Sequence, residues 1–199
     1  MDSKSYHHGD LKAELVQKGL EILDRDGYEG FSLRKVAGAC GVSQTAPYRH
    51  FKNKDELIAE IMKQALCAFN ESLASAVDKY PDSPINQIRE MGVAYVRFFL
   101  DNPQYLRLLF LSDIRMTSPE VFCDNTGQVS EVHPFMTFFS AIERYKDTTP
   151  DEQRDAGDLM IYCWGLVHGI AVLAVRQEIP AQYDVPALID RIIWSEKFL

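Results

Sequence analysis

Cysteine is scarce in this sequence, and no two of its cysteines stand close together. Cys40, Cys67, Cys123 and Cys163 form no CxxC pair, which argues against a disulfide framework and against a redox motif. We expect reduced thiols that serve as small core residues. The first ten residues also lack the apolar stretch of a secretory signal, so the expected compartment is the cytoplasm.

Positive charge is in deficit as well, since the formal net charge is −8 and the pI is about 5.1. Over a whole chain, such a balance argues against nonspecific coating of nucleic acid or of an anionic membrane. The charge is unevenly distributed, however. The chain carries an excess of two positive charges up to Lys54 and an excess of ten negative charges beyond it. A surface that binds an anion is therefore expected in the first part of the chain.

Long hydrophobic runs are nearly absent, and the one exception covers residues 159–175. Its length is at the lower limit for crossing a membrane, and it contains His168. We therefore predict a helix that is buried on all sides of a globular fold, and no membrane partner.

The alternation of polar and apolar residues that marks half-buried strands is almost absent, and helical spacing takes its place. With 199 residues, 46% of them hydrophobic, the chain can bury a core. We predict an all-α fold of about nine helices. Four of the predicted helix starts combine a capping residue with a following proline, at Ser83-Pro84, Asn102-Pro103, Ser118-Pro119 and Thr149-Pro150.

Two short helical segments are separated by a tight turn that contains glycine. Ser32 can cap the first segment, and Ser43 can cap the second, which is expected to begin at Gln44. Between them, Gly41 permits a positive φ and Val42 can pack in the angle between the helices. The arrangement predicts a helix-turn-helix.

The second segment carries side chains suited to base edges and to phosphates. Gln44 can form a bidentate contact to a base, while Thr45 and Ala46 are small enough to meet a thymine methyl. Arg34 in the first segment can bind guanine, and a solvated ion pair is its alternative role. The other predicted DNA-binding side chains, several of them suited to phosphates, are Ser43, Tyr48, Arg49, His50 and Lys54.

The segment from Gly27 to Leu57 resembles the DNA-binding domain of the tetracycline-repressor (TetR) family of bacterial regulators. The motifs that carry the resemblance are Gly30-Phe31-Ser32, Val36-Ala37, Gly41-Val42-Ser43 and Tyr48-Arg49-His50-Phe51-Lys52-Asn53-Lys54. The resemblance implies a homodimer that binds a palindromic operator in double-stranded DNA through residues 1–53. It also implies that residues 54–199 bind a small-molecule effector and form the dimer interface.

One residue departs from the family pattern, because Pro47 stands inside the predicted recognition helix where a branched aliphatic residue is common. Proline removes one bond to the Ser43 carbonyl but falls in the first turn, where it is better tolerated than in mid-helix. We therefore expect a slightly kinked recognition helix.

A shorter resemblance lies in the carboxy-terminal half, at Trp164-Gly165-Leu166-Val167-His168-Gly169. Together with the amino-terminal Tyr6-His7-His8-Gly9-Asp10-Leu11, it is similar to a subgroup of these regulators named for a Trp-His-Gly motif. Gly165 and Gly169 would let a partner helix approach closely, which favours a subunit interface there.

Aromatic and methionine side chains are abundant in this half, and such side chains commonly line apolar ligand pockets. The predicted ligand contacts are Phe98, Phe139, Trp164 and His168. His168 has a second interpretation as an interior histidine held by a hydrogen bond.

No motif typical of an enzyme occurs: the sequence has no GxSxG elbow, P-loop or HExxH. The adjacent His7 and His8 supply only two possible metal ligands, with no accompanying thiol or carboxylate at a recognised spacing. We predict no catalysis, no cofactor and no metal site.

The function that follows is a dimeric, ligand-responsive transcriptional repressor. Two alternatives remain open from the residues alone. One is a protein of the same fold that has no inducer and recruits a protein partner. The other is a helical small-molecule carrier that has lost DNA binding.

Overall fold

The computed structural model describes residues 11–112, 133–149 and 155–195. All regular secondary structure within these ranges is helical, which confirms the predicted fold class. The described α-helices are α1 (Leu11–Gly30), α2 (Leu33–Ala39), α3 (Lys54–Asp78), α4 (Pro84–Asp101), α5 (Pro103–Leu106), α6 (Pro134–Thr148), α7 (Ala156–Val175) and α8 (Val185–Ile193). A short 3₁₀ helix at Pro47–Arg49 and a π-helical turn at Arg107–Leu111 complete the described secondary structure.

Proline marks helix starts as predicted at Pro84 and Pro103. The preceding side chains, Ser83 and Asn102, make no capping hydrogen bond, so proline's fixed φ and not the cap defines these starts. The predicted start at Ser118-Pro119, and Pro150 of the start at Thr149-Pro150, lie outside the described residues.

Two helix starts were not predicted, because their capping residues are less usual or lack a proline. Nδ1 of His133 accepts the Phe135 N–H at 3.1 Å and so caps α6. The carboxylate of Asp155 accepts the Asp158 N–H at 2.8 Å and caps α7. Each cap satisfies one of the backbone donors that the first turn of a helix leaves open.

The chain divides into two compact units, and the boundary between Gln64 and Ala65 falls inside α3. In the first unit, α1 is interrupted at Gly27, whose φ of 67° lies in the left-handed region. The first half of α3 packs closely on α1, since a Cβ placed on Gly19 would lie 2.9 Å from Cδ1 of Ile61. Any larger residue at position 19 would require the end of the Ile61 side chain to move.

In the second unit, α4 lies at the centre and packs against α6, α7 and α8. Its Gly92 allows a close crossing, because a Cβ there would lie 3.1 Å from Cδ1 of Ile193 and 3.3 Å from Cγ1 of Val167. Phe99 and Ile88 of the same helix are fully buried in the hydrophobic core of this unit.

Helix α7 is not buried on all sides, so that prediction was wrong. Leu159, Cys163 and Val167 are buried, whereas Ile161 is 64% exposed and Leu173 is also exposed. By length and composition, α7 is apolar enough to cross a membrane, a property that core helices of water-soluble proteins share. The sequence shows the apolar character of the helix, but burial depends on which neighbours surround it.

The cysteines follow the prediction in part. Cys40 and Cys163 are buried, as expected for small core residues, but Cys67 on α3 is exposed. Cys123 lies outside the described residues. Helical position decides the difference, because Cys67 falls on the solvent side of a helix whose Leu66 and Phe69 point into the core.

Candidate functional site

A left-handed glycine ends α2 and sets the direction of the chain that follows. Gly41 has a φ of 67°, its N–H bonds to the Gly38 carbonyl at 3.1 Å, and the Val42 N–H bonds to the Ala37 carbonyl at 3.0 Å. This pair of bonds is the Schellman motif, which favours glycine at this position. At the other end of α2, the Ser32 hydroxyl accepts the Lys35 N–H as predicted. The predicted turn between the two segments is therefore present.

The recognition segment, residues 43–51, does not form the α-helix predicted to begin at Gln44. A turn leads into the single 3₁₀ turn at Pro47–Arg49, so the expectation of a slightly kinked helix was wrong. Because Pro47 has no N–H, the Ser43 carbonyl instead accepts the Ala46 N–H at 2.9 Å, which is a tighter, 3₁₀-type closure. The Ser43 hydroxyl lies 3.2 Å from the Thr45 hydroxyl and does not cap a helix.

Most of the predicted DNA-binding side chains on this segment face solvent. Tyr48 is 56% exposed. Two apolar residues of the segment, Pro47 and Phe51, are buried and so hold it against the rest of the unit. The other exposed side chains of the segment are Ser43, Gln44, Thr45, Arg49 and His50, while Ala46 is half-buried. The segment thus presents a polar surface on an apolar base.

Arg34 and Lys35 follow each other on α2 but have different surroundings. Lys35 Nζ lies 2.9 Å from Oδ2 of Asp26, which ties α2 to the end of α1. Hydrogen bonds from Arg25 and then from Lys35 hold the pKa of the Asp26 carboxyl well below its usual range. Arg34 is exposed and forms no ion pair within the described part of the chain. The ion pair that was the alternative role of Arg34 is formed by its neighbour Lys35 instead. The Arg34 guanidinium faces solvent.

Lys54 is held in place by a residue that the sequence did not single out. Its Nζ lies 3.7 Å from the centre of the Tyr28 ring and donates a hydrogen bond to the Tyr28 carbonyl at 3.2 Å. The Tyr28 hydroxyl in turn donates to Oδ1 of Asp55 at 2.8 Å. That hydrogen bond and the burial of the hydroxyl raise the pKa of Tyr28. A cation over an aromatic face is stabilised electrostatically, so the ammonium has a defined position at the start of α3.

The second unit contains a cavity of about 270 Å³. Trp164, a predicted ligand contact, lines it together with side chains from α3, α4, α6 and α7 and from the π-helical turn. Phe98, Phe139 and His168 are not among the lining residues. The described lining is Leu66, Phe69, Leu73, Met91, Gly92, Tyr95, Leu109, Phe110, His133, Pro134, Phe135, Phe138, Met160, Trp164 and Val167.

Phe98, Phe139 and His168 instead contact residues of the wall. The Phe98 ring packs 5.2 Å from that of Phe69, and the Phe139 ring stacks 6.0 Å from that of Phe135, measured between centroids. The ring centroids of His168 and Phe110 lie 5.0 Å apart.

Three polar side chains of this wall form one hydrogen-bonded group. The Trp164 Nε1–H donates to the Tyr95 hydroxyl oxygen at 3.2 Å, and that oxygen lies 2.9 Å from Nδ1 of His168. Because tryptophan can only donate, the Tyr95 oxygen accepts from Trp164, while the direction of the bond between Tyr95 and His168 depends on the histidine tautomer. Burial raises the pKa of the Tyr95 hydroxyl and lowers the pKa of His168. The group is therefore neutral, and His168 has the interior hydrogen bond that was one of its two predicted roles.

Each of the two units contains a segment that matches a known protein family. Residues 15–61 match the family described as bacterial regulatory proteins, tetR family, and residues 88–194 match the tetracyclin repressor-like C-terminal domain. The HTH-type transcriptional regulator AcrR of Shigella flexneri is 28% identical over 82 residues, which is 41% of this chain and 38% of AcrR. This chain covers 32–53% of the length of the first curated relatives that it resembles.

Solved structures share the fold over nearly the whole chain. A protein of unknown function from Rhodococcus sp. RHA1 has a TM-score of 0.78 at 22% identity, covering 96% of this chain and 95% of that one. The transcriptional regulator FadR of Bacillus subtilis, solved in complex with stearoyl-CoA, has a TM-score of 0.71 at 14% identity, covering 91% and 95%. Since the two family matches together cover most of the sequence, the chain belongs to the tetR family of bacterial regulatory proteins.

Proposed function

We propose that this protein is a transcriptional repressor that binds a palindromic operator as a homodimer and is released by a small-molecule effector. The observation that carries the proposal is the exposed polar surface of the recognition segment, which the Gly41 turn precedes and the positioned ammonium of Lys54 follows in the sequence. The curated relatives that match this region are named as transcriptional regulators and repressors.

In this proposal, Gln44, Thr45 and Arg34 contact base edges in the major groove. Tyr48, Arg49, His50 and Lys54 contact phosphates on either side of it. Ser43 and Ala46 bring the backbone close to the DNA. The short 3₁₀ turn places fewer side chains along the groove than an α-helix would, which favours a readout concentrated at Gln44 and Thr45.

The proposed dimer surface is the exposed face of α7. Ile161, Gly165, Gly169 and Leu173 recur every fourth residue and so lie on one side of the helix. Ile161, Gly165 and Leu173 are exposed in the single chain, and an apolar face of this kind is typical of a subunit contact. The motif Trp164-Gly165-Leu166-Val167-His168-Gly169 on the same helix supports a place in the Trp-His-Gly subgroup.

We assign DNA binding to residues 1–53 and effector binding and dimerisation to residues 54–199. Helix α3 is one continuous helix with Lys54 at its start and Phe69 and Leu73 in the cavity wall further along. A ligand that changes the position of α3 would therefore change the position of Lys54, and operator affinity would fall. The proposal includes a cytoplasmic location and no catalytic role, in line with regulators of this family.

Footprinting tests this proposal on the intergenic DNA beside the protein's own coding sequence. We expect two protected half-sites related by two-fold symmetry and about one DNA turn, or a multiple of it, apart. A small-molecule carrier without DNA binding would protect nothing. A DNA-binding protein that recruits a partner would give the footprint but would keep its operator affinity in the presence of every ligand that binds the cavity.

A further inference from the structure

The size of the cavity limits its occupant. An engineered cavity of about 150 Å³ holds benzene, and drug-sized ligands occupy roughly 300–1,000 Å³. At about 270 Å³, this cavity is larger than the benzene-binding cavity and slightly smaller than the pockets of drug-sized ligands. It fits a molecule of on the order of ten non-hydrogen atoms.

The chemistry of the wall limits the occupant further. Among the described lining residues there is no lysine, arginine, aspartate or glutamate, and the only side chains with nitrogen or oxygen atoms are Tyr95, Trp164 and His133. The polar atoms of Tyr95 and Trp164 are already joined to each other and to His168. A buried anion would leave water without finding a cationic partner among the described lining residues, so its lost hydration would not be compensated.

The two histidines near the cavity do not supply the missing positive charge. Nδ1 of His133 accepts the Phe135 N–H, which requires an unprotonated Nδ1. Nδ1 of His168 lies 2.9 Å from the Tyr95 hydroxyl oxygen, which occupies it without adding a charge partner. Burial also lowers the pKa of both side chains. Both are therefore neutral at neutral pH.

From these observations we infer that the effector is an uncharged, largely hydrocarbon or aromatic molecule of on the order of ten non-hydrogen atoms, and that the cavity disfavours a ligand whose carboxylate it would bury. This inference rests on the proposed function in one respect, namely that the occupant of the cavity is the effector. The described lining of the cavity supports the chemical class of the occupant independently of that function.

The test compares 2-nonanone with octanoate. The two probes share the same alkyl chain and nearly the same shape, but the first ends in an uncharged methyl ketone and the second in a carboxylate. Binding to the full chain is measured by titration calorimetry at neutral pH. It is also followed through Trp164 emission in the variant Trp194→Phe, which leaves Trp164 as the single tryptophan of the two in the sequence. We expect the ketone to bind at least about tenfold more tightly than octanoate, because only the anion loses its hydration without compensation.

A charge-introducing variant provides the reverse comparison. Phe135 lines the cavity and is 38% exposed, so Phe135→Lys can place an ammonium at the cavity while keeping contact with water. The preference for the ketone should then disappear or reverse in favour of octanoate. The matched control is Tyr183→Lys, at a position that is 46% exposed and outside the lining, and it should leave the preference unchanged.

Equal or tighter binding of octanoate by the natural chain would overturn the inference, and so would the absence of any response of Trp164 to either probe. Operator affinity of the same preparation is measured separately without probe. Its loss would count against the proposed function, while the ratio between the two probes would still decide the chemistry of the cavity.

Discussion

The ammonium of Lys54 lies 3.7 Å from the centre of the Tyr28 ring, although the two residues are 26 positions apart in sequence. Lys54 begins α3, and Tyr28 follows the interruption of α1 at Gly27. Tyr28 therefore fixes the direction of a cation that we propose to bind a DNA phosphate. It acts as a positioning residue, since its own hydroxyl is used in the bond to Asp55.

Replacing Tyr28 separates the role of its ring from that of its hydroxyl. Tyr28→Leu should weaken DNA binding several-fold on every sequence tested, because Lys54 loses a contact worth about 0.5–2 kcal/mol. Tyr28→Phe keeps the ring and should retain most of the affinity. The measurement is fluorescence anisotropy with a labelled DNA fragment at fixed salt. Equal affinities for the leucine and phenylalanine variants would show that the ring does not position Lys54.

The Gly41 turn provides a test of stability with a control on the same helix. Gly41→Ala should destabilise the protein by about 1–2 kcal/mol, because a φ of 67° crowds the added Cβ. Gly38→Ala should be neutral or stabilising by up to about 1 kcal/mol, since this glycine is within α2 and a Cβ there meets nothing within 4 Å. Urea unfolding at fixed protein concentration measures both. The same sign for both variants would contradict the geometry of the turn.

The Tyr95 hydroxyl joins Trp164 to His168, so its removal leaves two half-buried partners without their bond. Tyr95→Phe should lower the free energy of unfolding by about 1–3 kcal/mol. Tyr183→Phe, at an exposed position, is the matched control and should change it by less than about 0.5 kcal/mol. If the two variants unfold at the same urea concentration, the hydrogen-bonded group does not contribute to stability.

The depressed pKa of His168 predicts a stability loss in mild acid. The folded state holds this histidine neutral, whereas the unfolded chain binds a proton once the pH falls below the ordinary value of 6.5. The free energy of unfolding should therefore fall over the pH window from about 7 down to the folded pKa of His168 and level off below it. His168→Gln removes this titration, so the slope over that window should be smaller than in the natural chain. An unchanged slope would contradict a neutral, half-buried His168.

Local signals in the sequence predicted the elements that depend on neighbouring residues. The Ser32 cap and the left-handed turn at Gly41 each involve residues at most a few positions apart. Such local bonds do not depend on how the helix packs against the rest of the protein. Sequence alone was sufficient for them.

Sequence alone was insufficient where several partners compete or where distant elements meet. The Ser43 carbonyl bonds to Ala46 once Pro47 offers no N–H, and this choice shortened the recognition segment to one 3₁₀ turn. Trp164 lines the cavity whereas Phe98 does not, because the packing of helices far apart in sequence decides which aromatic ring faces the space. The contact of Tyr28 with Lys54 has no local signature either.

The most direct test of the account is the affinity of the full chain for the footprinted fragment, compared with a scrambled fragment of equal length, over a range of salt concentrations. We predict a preference of about 10³-fold or more for the natural fragment. Gln44→Ala should reduce that preference, while Lys54→Ala should weaken binding to both fragments and reduce the salt slope by about 1. Equal affinity of the natural chain for the two fragments, or no binding to either at low ionic strength, would contradict the central claim that the recognition segment binds a specific operator.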